Sequence, residues 1–236
     1  MENQPEGIDY EGAWDTYAAS WQKQHPELQY IGDEWIGKMA GAANSLEEYQ
    51  ALIERLYIAP YITSQDTVLE IGIGGGRTAS MLYNRCDRLI CADISAKMLD
   101  ATRNRLGDDK VTYLKLDGLT LDGIETASID VCFCYDTMVH IEPRDIFNYL
   151  TRIPPLMRGK RLCVFHHTNL LSDLGWQKFL TEWDRNLLGK RHGSAFSVMT
   201  DSIMEKFLNH LNYEIILKDT QNVPRDCVWV CQAPPV

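Results

Sequence analysis

Apolar residues run along this chain in two rhythms. Short aliphatic and β-branched runs stand at 68–71, 88–93, 111–116, 129–134 and 161–166, with a closing pair at 213–218 and 227–231. These predict strands. Between them apolar positions repeat every three or four residues, which predicts helices over 78–84, 96–106 and from Pro143 to about Arg152. Ser95 can cap the second helix and Gly107 can end it. Pro143 suits a first helical turn. Upstream, Ser45 and Glu48 have capping-box spacing before an apolar face of Leu46, Tyr49, Leu52, Ile53 and Leu56. Earlier still, Trp14, Tyr17, Ala18 and Trp21 recur at helical spacing until Pro26.

Strands alternating with helices predict an α/β fold built on a doubly wound, mostly parallel seven-stranded sheet. The last two strands lack an intervening helix, so the sheet closes with an antiparallel strand. Two regions break the alternation. Residues 1–60 read as an N-terminal helical cap or lid over a ligand-binding domain spanning 61–236. The stretch at about 169–197 carries Leu174, Trp176, Phe179, Leu180, Trp183, Leu187 and Leu188, too apolar for a bare loop. It reads as a helical insertion after the fifth strand, ending in a loop from Gly189 to Ser194. Thr200-Asp201-Ser202 opens a further helix, with Ser202 and Glu205 spaced as a second capping box.

The most informative stretch is Val68-Leu69-Glu70-Ile71-Gly72-Ile73-Gly74-Gly75-Gly76-Arg77-Thr78. It is a strand, a glycine turn and a helix start, the local means of holding a nucleotide-like ligand. A dinucleotide fingerprint needs a third glycine where Arg77 stands, so that pattern fails. The alternative pattern, acid-x-Gly-x-Gly-x-Gly, is met by Glu70, Gly72, Gly74 and Gly76. Here the chain resembles motif I of the class I S-adenosylmethionine (SAM) dependent methyltransferases. Asp93 ends the second strand about twenty residues beyond the first glycine, where an acid can accept from ribose hydroxyls. Ribose occurs in NAD as well, so the choice rests on later elements. Those are Asp117-Gly118, the segment after the fourth strand and the closing strand pair. By layout the resemblance covers roughly residues 60–232.

The resemblance implies SAM as cofactor. The Gly72–Gly76 loop would hold its methionine end, Asp93 its ribose, and Ile94 and Met98 its adenine. Asp117 would accept from the adenine amino group, with Gly118 allowing close approach; an Asp-Gly turn is the competing reading. Tyr135, opening the segment after the fourth strand, joins this set. Aromatic faces suit a sulfonium cation, so Trp14, Tyr17 and Trp21 are candidates to close over cofactor and substrate.

Methyl transfer is an in-line displacement that needs alignment and the removal of one proton. Histidine is a natural base. His140 follows the fourth strand, and in a helical turn Asp136 would share its face at i,i+4 and orient it. His166-His167 ends the fifth strand. Alternation lets one of the two face the pocket, and His167 is chosen as nearer the open end. His192, in the insertion loop, could steady an anionic or polyhydroxylated substrate, or simply be solvated. No N-P-P-[YF] tetrapeptide follows the fourth strand, which argues against a DNA base as acceptor. The aromatic N-terminal segment, Asp136…His140 and the histidine-ended strand look similar to bacterial O-methyltransferases of sugars and natural products. The expected activity is methylation of a hydroxyl on a small molecule. An N-methyltransferase acting on a small amine or a protein amine is the alternative, and a SAM-binding regulator without turnover comes from another class.

Composition narrows the partners. A net charge of −10, with only the short basic clusters Arg158-Gly159-Lys160-Arg161 and Lys190-Arg191-His192, opposes nucleic acid. No run of eighteen apolar residues predicts a membrane span. The start of the sequence is acidic and polar, without the look of a secretory signal. Six of the seven cysteines fall in predicted strands, where they read as reduced, buried small hydrophobes in a cytoplasmic protein. No carboxylate cluster is spaced to require a metal.

Overall fold

The computed structural model describes residues 7–184 and 192–236. Leu187, Leu188, Gly189 and the basic pair Lys190-Arg191 lie outside the described residues. Seven strands form one sheet: β1 (Thr67–Ile71), β2 (Arg88–Asp93), β3 (Val111–Lys115), β4 (Ile129–Cys134), β5 (Met157–Thr168), β6 (Glu214–Asp219) and β7 (Asp226–Gln232). Their order is β3-β2-β1-β4-β5-β7-β6, and β7 alone runs antiparallel to its neighbours. The helices are α1 (Tyr10–Gln24), α2 (Leu46–Ile53), α3 (Arg77–Tyr83), α4 (Ala96–Leu106), α5 (Pro143–Arg152), α6 (Asp173–Leu180) and α7 (Asp201–His210). The expected doubly wound, mostly parallel sheet is the observed one. All seven cysteines are buried thiols. Among the described residues, no helix is long and apolar enough to cross a membrane.

Two features of this layout build the site. Strand order reverses beside β1, and ligands bind outside the carboxyl ends of strands at such a switch point. The antiparallel β7 begins where β5 ends, with Thr168 opposite Asp226. The first residues of β7 therefore sit at the same edge as the carboxyl ends of the parallel strands.

The N-terminal region is not uniform. After α2 the chain takes a π-helical turn over Glu54–Ile58. Ile53, Tyr57 and Ile58 are fully buried in one cluster with Val68, Phe133 and Val230. Burying such side chains contributes roughly 1.5–3 kcal/mol each, so this segment is part of the core. In contrast, α1 is apolar only along a narrow face, burying Ala13 and Trp21.

Capping follows the sequence in two places and departs from it in a third. Ser95 accepts from the Met98 amide at 3.1 Å. Ser45 accepts from the Glu48 amide at 3.2 Å, while Glu48 reaches back to the Asn44 amide at 2.9 Å. At α7 the cap is Thr200, whose hydroxyl accepts from Ile203, and Ser202 lies inside the helix. Glu205 instead pairs with Lys218 at 3.0 Å.

Candidate active site

The carboxyl edge of the sheet opens into one cavity of about 870 Å³. At one end lies the glycine turn. Gly72 and Gly74 have φ of +75° and +53°. A Cβ on Gly72 would come within 2.1 Å of the Thr137 side chain, whereas nothing stands within 4 Å of a Cβ at Gly74. The first glycine is thus required by the protein's own packing, and the second fronts open space that a ligand can use.

Two carboxylates stand beside the turn. Glu70 is buried on the cavity wall, and its Oε2 has no hydrogen-bond partner among the described residues. Burial holds its carboxyl well above the usual range, with the Arg77 cation working against that. An orphaned carboxyl of this kind fits a ligand ammonium. Asp93 accepts from the Gly74 amide at 3.0 Å and the Ser95 amide at 2.8 Å. Burial raises it to about 6 although these amides pull the other way. Each of its oxygens has a second lone pair, so ribose hydroxyls can donate to the same carboxylate. Ile94, Met98, Gly118 and Tyr135 line the same cavity.

Asp117 departs from this group. Its carboxylate accepts from the amides of Leu119 at 2.8 Å and Thr120 at 2.6 Å and from the Thr120 hydroxyl at 3.0 Å. Those bonds hold it below the usual range on an exposed turn beside a neighbouring pocket. The competing Asp-Gly turn reading describes what this side chain does.

At the other end, Asp136 is the hub. Its φ of +58° places a non-glycine residue in the left-handed region, which aspartate tolerates better than most. Arg77 donates to its carboxylate and to the carbonyl of Trp35. Tyr49 donates to it at 3.0 Å. His166 Nδ1 lies 3.2 Å from its carboxylate and 3.0 Å from its backbone amide. Burial opposes the charge on Asp136, but Arg77 and His166 outweigh it and hold the carboxyl far below the usual range. His166 Nε2 lies 3.1 Å from Asp226. Burial would lower this histidine too, yet its two carboxylate neighbours raise it to about 9. Asp226 in turn takes Nε and Nη2 of Arg225, at 2.9 and 2.6 Å.

His140 lines the cavity and stands apart from that chain of charges. Asp136, at a left-handed φ, stands before the i→i+3 turns that tie the His140 amide to the Thr137 carbonyl at 3.0 Å and the Ile141 amide to the Met138 carbonyl at 3.3 Å, so it does not orient His140 as expected. Its Nδ1 instead lies 3.4 Å from the Ala195 carbonyl, and Trp14 packs edge-on to the ring at 5.0 Å. With Nδ1–H donating to that carbonyl, Nε2 keeps its lone pair. Burial lowers the pKa, helped by the nearby Arg225 charge and opposed by the Ala195 bond, so the ring is neutral near pH 7.

The choice between the paired histidines is corrected. His167 is buried away from the cavity: its Nε2 accepts from Trp229 at 2.8 Å and its Nδ1 lies 2.6 Å from its neighbour's carbonyl. Parity along β5 explains it. Cys163, Phe165 and His167 share the face that packs with Trp229, while Leu162, Val164 and His166 share the opposite face. His166 is therefore the one directed to Asp136, although neither ring lines the cavity.

Trp14 and Tyr17 line the cavity, and Tyr17 donates to Glu34. Trp21 is buried elsewhere in the N-terminal region, and His192 is bonded to the Ser194 hydroxyl at 2.7 Å on an exposed turn. Neither lines the cavity. Tyr49, Arg77, Ala195, Arg225 and Asp226 join the site with no motif in the sequence to mark them for it. Arg77 was visible only as the residue spoiling a dinucleotide pattern.

The chain is similar to known proteins. Residues 68–158 match a family model described as a methyltransferase domain. Methyltransferase nsrG of Aspergillus novofumigatus is 32% identical over 81 residues, which are 34% of this chain and 31% of that protein. The match thus spans about a third of that curated relative's length. Among solved structures, DhpI in complex with SAH has a TM-score of 0.68 at 19% identity, covering 96% of this chain and 98% of that one. Magnesium protoporphyrin IX methyltransferase from Synechocystis PCC 6803 has a TM-score of 0.65 at 14% identity, covering 95% and 98%. At such identities these structures show the fold. Residues 68–158 are thus a methyltransferase domain by the family model they match, and the chain has the Rossmann-like fold of the SAM-dependent methyltransferase structures it resembles.

Proposed function

We propose that this protein transfers the methyl group of SAM to a hydroxyl of a small molecule, with His140 receiving the acceptor's proton. The observation that carries the reading is the continuity of one cavity from Gly74 and Asp93 to His140. Glu70, Gly74 and Asp93 would hold the ammonium, the chain and the ribose of the cofactor. SAM supplies an electrophilic methyl whose sulfonium leaves without needing a proton. The protein's share is to align the acceptor, to exclude water and to take up one proton. Ala195 fixes the His140 tautomer and leaves Nε2 to do the last of these.

Within residues 1–60, the lid is the stretch before α2. Polar contacts tie it to the rest of the chain, among them Tyr10 donating to Asp145 at 3.1 Å and accepting from the Glu142 amide at 3.0 Å and the Arg105–Asp33 pair at 2.8 Å, and Trp14 packs on His140. Trp14, Tyr17 and Trp35 form its face on the cavity. The buried thiols fit a reducing compartment, the cytoplasm.

Labelled methyl transfer from SAM into a metabolite extract tests the reading, with Asp93→Ala as control. Label in a small-molecule product, lost in the variant, is the expected result. Label only in macromolecules would overturn it. Turnover that survives His140→Gln would move the acceptor from oxygen to a neutral amine, which needs less help from a base.

A further inference from the structure

The acceptor end of the cavity holds a donor that the methyl-transfer reading does not use. Arg225 lies in the turn before β7, and its backbone is tied on both sides. Its N–H donates to the Ala40 carbonyl at 3.2 Å, and its own carbonyl accepts from the Ser172 hydroxyl at 3.0 Å. The guanidinium packs over Phe196 at 5.2 Å and lays Nε and Nη2 on Asp226. Only 11% of the side chain is exposed. The remaining nitrogen, Nη1, has no hydrogen-bond partner among the described residues, and Arg225 lines the cavity. A guanidinium locked along one edge and bare along the other is a preorganised oxyanion donor.

The surroundings leave Arg225 open to an anion. The carboxylates lining this end each have a hydrogen-bond or ion-pair partner of their own. Asp136 is held by Arg77 and Tyr49, Glu182 by Lys178 and the Phe196 amide, and Asp145 accepts from Tyr10. Asp226 is shared between Arg225 and His166. In either protonation state of His166, the two arginines are not outnumbered by the two aspartates they bind. Arg225 is also near enough to His140 for its charge to depress that ring. Apolar walls come from Trp14, Met39 and Phe196.

Resting on the small-molecule hydroxyl reading above, we infer that the acceptor is a hydroxy acid. Its oxyanion, a carboxylate or a phosphate-type group, docks on Nη1 of Arg225 while its hydroxyl reaches His140. The subsite adds binding and register; the bond made and the bond broken are those of methyl transfer itself.

The test separates a metabolite extract by anion exchange before reaction. The retained acidic pool and the unretained neutral and cationic pool are then offered separately with labelled SAM. Label from the acidic pool alone is expected. Arg225→Gln should raise the KM for that pool by roughly 10- to 100-fold, the worth of a hydrogen bond to a charged group. Binding of S-adenosylhomocysteine, followed by calorimetry, should stay within about twofold, which shows that the variant is folded. Arg225→Lys, which keeps the charge but not the planar fork, should recover part of the loss. Label from the unretained pool alone would overturn the inference and leave the hydroxyl reading standing. An unchanged KM in a folded Arg225→Gln would also overturn it. No label from either pool, with S-adenosylhomocysteine bound, would remove the small-molecule reading and this inference together.

Discussion

The two ends of the cavity are made differently. The cofactor end draws on two short stretches: Glu70, Gly72, Gly74 and Asp93 come from two adjacent strands and the turn after the first. The acceptor end gathers Tyr49, Arg77, Asp136, His140, His166, Ala195 and Arg225 from six separate places in the chain. A ligand common to many proteins can be held by a local backbone device, because glycine amides and a strand-end acid recur at fixed spacing. An acceptor peculiar to one protein must be held by side chains that only folding brings together.

The sharpest way to separate the ends is His140→Gln. Loss of a general base costs typically 10²- to 10⁴-fold in kcat. S-adenosylhomocysteine affinity should stay within about threefold, because His140 belongs to the other end. A comparable loss of affinity would show the two ends to be one unit.

Next in size is Arg77→Met, which removes the guanidinium from the buried side of Asp136 and leaves that carboxylate to His166 and the Tyr49 hydroxyl. Removing one partner of a buried ion pair costs about 3–5 kcal/mol, to be read as a fall in the urea midpoint. Arg77 grows out of the glycine turn yet serves Asp136 and the Trp35 carbonyl. This variant is therefore the one expected to damage both ends at once.

Asp93→Asn should weaken S-adenosylhomocysteine by roughly 100-fold, the worth of one hydrogen bond to a charged group, and should lower stability by about 1–3 kcal/mol, because the new NH2 must face the Gly74 or Ser95 amide. The same carboxylate sets a pH dependence. Its pKa in the protein is about 6, so it is mostly ionised at pH 7 and mostly protonated at pH 5. Affinity should therefore fall about tenfold between those values, following the ionised fraction. The sign for stability is opposite. Its pKa is raised above the unfolded value, so ionisation disfavours the fold, and the cost is relieved as pH falls through 6.

The smallest effect is expected from His167→Gln. The amide oxygen can still accept from Trp229, so stability should change by no more than about 1 kcal/mol. The pH profile of kcat should not move. A shifted profile would return His167 to the reaction and undo the assignment by strand parity.

The amino-acid sequence by itself determined the sheet, its closing antiparallel strand and the glycine turn with its strand-end acid. Each depends on short-range signals: alternation of apolar residues, glycines at fixed spacing, acids at strand ends. It also marked His140 by its place after the fourth strand. Tertiary structure decided the rest. Whether His166 or His167 turns toward the site depends on the face each shares across β5, where adjacent positions are opposite and a shift of one residue reverses the answer. Asp117 was spent on its own turn, because amides two and three residues ahead lie nearer than any distant ligand. Arg225 and Asp226 entered the site because β7 runs backwards and begins where β5 ends. No spacing in the sequence records that meeting, since it joins residues about sixty positions apart that come together only when the sheet closes.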